Sequence, residues 1–490
     1  MGILAAYMVP HPPMIVPGVG RGRETDIQET IRAYEQVAKE ISALQPETIV
    51  ITSPHAVMYA DYFHISPGKG AHGSFARFWD PKTAFSETYD QELVRKIAAL
   101  AEDRGVPAGV LGERDPELDH GVLVPLYFIR KHPGNAKIVR IGLSGLPLRE
   151  HYRLGMIIRD AVNALGRKAV FVASGDLSHK LRAEGPYGFA PEGPEYDRRI
   201  MEFCGAGRFS ELFGFTETFC RKAAECGHRS FVIMAGALDG LAVEAQALSH
   251  EDVTGVGYGI CTFHPGKPDD SRCYLEAELA KEKRQMEEIR KRGDAYVRLA
   301  RETVENVVRN GRYSNTDRNK AAWSSGQNEA GTESRQTPEE LRKARAGVFV
   351  SIHKEGQLRG CIGTISPVHA NIGEEIRSNA VKAATQDPRF EPVREEELAH
   401  LTYKVDVLMP AERISGPEQL DVRRYGVIVT NGMRRGLLLP DLEGVDTVEQ
   451  QIRIAREKAG IGPREKIALE RFEVIRHDPA EAKEEQEHDL

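Results

Sequence analysis

Three histidines stand just behind apolar runs. His11 follows ILAAYMV (3–9) inside Pro-His-Pro-Pro, His55 follows TIVIT (48–52) as SPHA, and His179 follows AVFVAS (169–174) as GDLSH. A fourth, His120, lies in DHGVLVPL at the start of a helical pattern. Imidazole both ligates divalent metals and moves protons near neutral pH, so several brought to one point could do either. A non-haem iron site needs two neutral imidazoles and one carboxylate on one face, leaving positions open for substrate and dioxygen. The carboxylate is sought in AECGHRSFVIMAGAL, where Glu225 has Cys226 beside it and His228 three residues on. An acidic residue is also favoured near a helix N-terminus for its own sake, so Glu225 admits that reading equally.

Convergence of residues so far apart in sequence needs a scaffold. The runs 3–9, 48–52, 137–143 and 169–174 read as buried strands, with VGYGICTF (256–263) a further one. Apolar positions at 27, 31, 34, 37, 38, 41 and 44 mark one face of a helix ended by Pro46, and other helical stretches lie between the remaining strands. The expectation is an α/β layer fold with a mostly parallel sheet flanked by helices, whose strand carboxyl ends form the ligand crevice. Histidines past three such ends would then meet.

After Phe263 the pattern breaks. HPGKPDDS (264–271) is linker chemistry, and a highly charged helix follows over about 275–309, interrupted at Gly293. Residues 310–338 read as a long polar loop. GVFVSIH, a KEGQ turn and LRGCIGTI then read as a β-hairpin, followed by a helix near 370–385 and strands near 402–409, 426–430 and 435–439. The boundaries expected are 1–264 for the first domain, 265–284 for a linker, 285–480 for a smaller α+β domain and 481–490 for an acidic tail.

Length and composition agree with two domains: 490 residues exceed one ordinary core. A net charge of −7 argues against a general nucleic-acid or anionic-membrane binder. No apolar run approaches the roughly 18 residues of a membrane span. Six cysteines in this length are too few for a disulfide scaffold, so a reducing, cytoplasmic setting is expected.

The motifs VPHPPMIVP, SPHA, LDHG..VPL, ASGDLSH, GPYGF, ECGHRSF and TGVGY, in this order, resemble the LigB-type class III extradiol dioxygenases, and more closely their MEMO-like branch. The resemblance covers about residues 1–264. It implies His11 and His55 as imidazole ligands of Fe(II), Glu225 as the carboxylate, His179 as the acid–base histidine and His120 as a second histidine of the substrate pocket. MEMO proteins place a metal-facing cysteine in the ECG stretch, which matches Cys226; the third ligand stays open between the two. With Cys226 as ligand, Zn or Cu would also suit. The chemistry implied is ring opening of a small catechol-like diol.

GVFVSIHKEGQLRGCIGTISP (347–367) and AATQDPRFEPVREEEL (383–398) resemble the signature stretches of the AMMECR domain family, over roughly 285–480. In RGCIG, Arg359 could lower the pKa of Cys361 and make it a nucleophile, or Cys361 could be a small buried residue of the hairpin. Asp387, Pro388 and Arg389 read either as an anion-binding turn or as a turn closed by an ion pair. The two domains together resemble those of the AmmeMemoRadiSam system, which implies a separate radical S-adenosylmethionine protein as partner. No CxxxCxxC cluster motif occurs in this chain.

Overall fold

A computed structural model describes residues 2–311, 338–354, 356–442 and 444–479. The segment read as a long polar loop and the acidic tail fall almost wholly outside the described residues. The chain divides into two compact units, one up to Ala280 and one from Lys281.

The first unit is built on a six-stranded sheet: β1 (Gly2–Val9), β2 (Thr48–Ser53), β3 (Lys137–Gly142), β4 (Lys168–Ser174), β5 (Leu241–Glu251) and β6 (Tyr258–Pro268). The order is β3-β2-β4-β1-β6-β5. The first four run parallel, while β6 is antiparallel to β1 and β5 antiparallel to β6. Alternate residues face two separate cores, as the two-residue period of a strand requires. In β1, Ala6 and Met8 join one core, and Ala5, Tyr7 and Val9 the other. Both faces are covered, which is why these strands are almost wholly apolar.

Two features differ from the sequence-based expectation. Strand β6 runs on to Pro268, four residues into the segment read as a linker, because its hairpin partner β5 carries it there, with Pro265 opposite Val243. The β5 strand was not expected. Its LAVEAQALSHE leaves only Ser249 buried, the mark of an outer strand.

Glycine brings the site-bearing segments together. A Cβ on Gly175 would lie 2.1 Å from Gly227 Cα, and this contact seats GDLSH against ECGH. Near the start of the helix His120–Ile129, a Cβ on Gly121 would lie 2.3 Å from Ser53 Oγ at the end of β2. These close approaches place the loops behind β1, β2 and β4 side by side.

The charged helix is two: Tyr274–Arg292, within which the two units divide, and Ala295–Asn310 of the second unit, and the break at Gly293 is followed by Asp294 capping the latter. Strands β7 (Val348–Lys354), β8 (Gln357–Gly363), β9 (Leu401–Leu408) and β14 (Val474–His477) form an antiparallel sheet in the order β8-β7-β9-β14. Strands β10 (Glu412–Ile414), β11 (Gly426–Asn431), β12 (Arg434–Leu438) and β13 (Ala468–Phe472) form another, in the order β10-β13-β11-β12. The helix Ile372–Thr385 packs on the first sheet. Gly360 of β8 makes this possible, since a Cβ there would meet the Ala383 carbonyl at 2.3 Å.

Candidate metal centre

At the end of β1, the prolines and a web of hydrogen bonds hold His11. Its backbone N–H donates to Asp176 Oδ1 at 2.7 Å, and Tyr34 donates its hydroxyl to the Pro10 carbonyl. Its Nδ1 lies 2.9 Å from Ser174 Oγ, the last residue of β4. The other ring nitrogen, Nε2, faces His55 Nε2 at 3.0 Å and Cys226 Sγ at 3.6 Å. The ligand atoms of His11, His55 and Cys226 all lie within 4.8 Å of one another. Those of Asp176, His179 and Cys226 form a second such group.

His11 is buried, Cys226 half-buried and His55 exposed, so the group is anchored on one side and open on the other. Burial, and next the His55 ring, hold His11 well below the usual imidazole range, which keeps it neutral with a lone pair to give. Burial pushes the Cys226 thiol up, and Asp176 and Glu225 add to this, so its proton leaves readily only for a cation placed beside it. The Asp176 backbone N–H donates to Cys226 Sγ at 3.3 Å, a bond that favours the thiolate once formed. Two imidazoles and a thiol within this span fit one transition-metal ion and leave further positions open.

Glu225 is placed otherwise. Its Oε2 accepts the His228 backbone N–H at 2.6 Å and so caps the start of the helix His228–Ala237. It is Cys226, the other residue considered, whose donor atom joins His11 and His55. His228 itself is buried among Tyr196, Phe215 and the Leu212 carbonyl, which its Nε2 meets at 3.0 Å.

His179 Nδ1 bonds to the Ala224 carbonyl, which turns Nε2 toward Asp176 Oδ2, 4.0 Å away. Tyr187, from GPYGF, packs on the His179 ring at 5.1 Å. His120 stacks on His55 at 4.0 Å between centroids and touches Phe78 edge-on. Burial, with His55 and His11 next, pushes His120 down to about 3, so it serves as a neutral ring. A cleft of about 320 Å³ opens here, lined by His55, His120, Phe78, Arg77, Glu117 and Asp119. The Asp119 carboxylate accepts from Ser53 at 2.5 Å, and Ser53 in turn accepts the His55 backbone N–H.

The sequence pattern thus identifies four histidines that the fold brings together, but not Ser174, Asp176, Ser53 and Asp119. Ser174 and Asp176 stand inside ASGDLSH, and Asp119 inside LDHG. Their role depends on which way each side chain points, which needs the register of β4 and the start of the helix His120–Ile129.

In the second unit, Arg359 and Cys361 lie on β8 two residues apart. Arg359 makes a two-pronged bond to Glu397, both contacts at 3.0 Å, and a third to the Glu391 carbonyl at 2.8 Å. Burial alone would raise Glu397, but Arg359 holds it down to about 2. The Cys361 N–H donates to Asp387 at 2.8 Å, and Arg389 bonds both Asp387 and the Cys361 carbonyl. The Asp387–Arg389 ion pair therefore closes the turn. Burial pushes the Cys361 thiol up, against a nucleophilic role.

A family model described as the catalytic LigB subunit of aromatic ring-opening dioxygenase matches residues 5–261, and AMMECR1 matches 297–477. A Clostridium acetobutylicum protein is 40% identical over 486 residues, covering 97% of this chain and 99% of the relative. A Thermotoga maritima protein is 48% identical over 184 residues, 37% of this chain and 96% of its own length. Among solved structures, protein PH0010 of Pyrococcus horikoshii covers 39% of this chain and 94% of its own at 31% identity and a TM-score of 0.32. Protein JW3007 of Escherichia coli K12 covers 53% of this chain and 99% of its own, at 14% identity and a TM-score of 0.38.

Proposed function

The chain belongs to the family of LigB subunits of aromatic ring-opening dioxygenases, carries an AMMECR1 domain behind that part, and from this premise we propose a metal-dependent, extradiol dioxygenase-like protein acting on a small catechol-like diol. The observation that carries the reading is the convergence of His11 and His55, behind the carboxyl ends of parallel strands, with Cys226, just before the helix His228–Ala237, beside an open cleft. An Fe(II) ion held by these three would supply chelation of the diol and a place for dioxygen. The protein's own part is to orient and to move protons. His179, anchored through Nδ1, offers Nε2 as the group that takes a proton from the diol. His120 and Phe78 wall one side of the cleft with uncharged ring faces that suit an aromatic substrate. Both atoms of dioxygen enter the opened ring, so no outside reductant is required.

The thiol in the donor set favours a second reading. A cysteine draws the site toward Zn or Cu(I). A non-oxygenase binding or maturation protein, working with a radical S-adenosylmethionine partner, would keep the same pocket. Among the described residues no helix is long and apolar enough to cross a membrane.

Anaerobic purification, metal analysis and then a panel of catechols with dioxygen test the proposal. Iron near one per chain, with a new absorbance from an opened ring, is the expected result. Zinc or copper at the site and no ring opening with any diol would transfer support to the second reading.

A further inference from the structure

A metal-binding histidine must present a lone pair on the right nitrogen, and in this chain a proline on a neighbouring helix stands one carbonyl and one hydroxyl away from His11. The helix His120–Ile129 contains Pro125. Four residues earlier stands Gly121, whose carbonyl would ordinarily accept the N–H of residue 125. Proline has no N–H, so that carbonyl loses its helical donor. The Ser174 hydroxyl takes the place, donating to Gly121 O at 2.6 Å.

A serine hydroxyl carries one hydrogen. With that hydrogen on Gly121, Ser174 can only accept from His11 Nδ1, 2.9 Å away. Nδ1 must then carry the ring proton, and Nε2 is left with its lone pair, aimed at His55 Nε2 and Cys226 Sγ. Both His11 and Ser174 are fully buried, so bulk solvent does not compete for these bonds. Gly121 adds the last condition, since a side chain there would strike Ser53 and push the carbonyl away.

We infer that Pro125 and Ser174 form a two-step positioning device that fixes the Nδ1–H tautomer of His11 and so points its Nε2 lone pair into the donor group. Neither residue touches the ion or the substrate. Pro125 acts through the Gly121 carbonyl, and that carbonyl acts by orienting the Ser174 hydrogen. The inference rests on the metal-centre reading for its purpose, though the tautomer itself does not require a metal.

The test uses the full chain labelled with 15N-histidine, with Ser174→Ala, Ser174→Thr, Pro125→Ala and the double variant. Ring 15N spectra without metal report the His11 tautomer, and titration with Zn²⁺ alone reports affinity. The wild type and Ser174→Thr should show Nδ1–H. Ser174→Ala should mix the tautomers and weaken Zn²⁺ binding by about 10–100-fold, the usual cost of losing a histidine's supporting partner. Pro125→Ala gives Gly121 a second donor that competes with Ser174 and weakens its hold on that hydrogen, and should shift His11 the same way by a smaller amount. In the Ser174→Ala background, Pro125→Ala should add nothing further. A wild-type ring protonated on Nε2 overturns the inference, and so does a Pro125→Ala effect of equal size with and without Ser174. If the wild type binds no Zn²⁺ or Fe²⁺, the proposed function fails, while the tautomer spectra still decide this point.

Discussion

The histidine cluster of the first unit and the Arg359–Cys361 patch of the second are both dense in reactive side chains, yet they are satisfied in opposite ways. Around Arg359 the charges close on one another: Arg359 on Glu397, Arg389 on Asp387, and the Cys361 N–H on Asp387. Around His11 the far nitrogens of His11 and His179 make anchoring bonds, and the near nitrogens of His11 and His55 face each other at 3.0 Å. Buried polar groups that are fully paired act on stability, whereas groups anchored on one side and convergent on the other ask for a ligand. A reactive-looking motif is thus better judged by where its unspent lone pairs point than by its residue types.

Substitutions can break this contrast, and the largest effect is expected in the cluster. His11→Ala and His55→Ala should each lose most bound metal by elemental analysis, whereas His179→Ala should retain it. With a diol substrate in hand, His179→Ala should still bind it but turn over ~10²–10⁴-fold more slowly. Retention of metal in both His11→Ala and His55→Ala would remove the centre altogether. Next in size, Cys226→Ala should lower metal occupancy severalfold or more, while Glu225→Ala should leave it near wild type and lower the midpoint of thermal unfolding instead, because Glu225 caps a helix. The reverse pattern would restore the carboxylate as third ligand.

In the second unit the effects should appear in stability. Arg359→Ala leaves Glu397 with a side chain only 12% exposed and no guanidinium, which should cost about 1–3 kcal/mol in urea unfolding of the full chain. The sign with pH follows from the Glu397 carboxyl being held down to about 2, below its unfolded value near 4.3. Its contribution is complete above about pH 4.3 and is lost as pH falls through 2, so Glu397→Gln should flatten the fall of stability across that window. A smaller effect still is expected of the thiol. Iodoacetamide at neutral pH should label exposed Cys273 before Cys361, since burial protects and protonates the latter. Selective early labelling of Cys361 would make the patch a second reactive centre.

Much of this was legible in the chain itself. Apolar runs ending in histidine identify β1, β2 and β4 and the crevice behind them, because buried parallel strands must be apolar throughout and their loops must be polar. The hairpin of β7 and β8 and the helix Ile372–Thr385 were equally plain. The short strands β13 and β14 were not: ALERF and VIRH mix charge with apolar residues, and only their neighbours in the sheet make strands of them. Nor was the choice between Glu225 and Cys226 legible. Adjacent residues differ in sequence by one place but leave the backbone in different directions, and here the Gly175–Gly227 contact sets which of them faces His11.

The sequence by itself determined the residue types, their order behind strands, and hence the fold class and the set of histidines available. These follow from local rules of hydrophobic period, proline and glycine, which act within a few residues. The tertiary structure alone decided which ring nitrogens carry lone pairs, which carboxylates are spent on backbone N–H groups, and whether a motif's charges close on themselves or converge on an open point. Those are properties of hydrogen bonds between segments up to about two hundred residues apart, such as Cys226 and His11, and no local pattern encodes their direction.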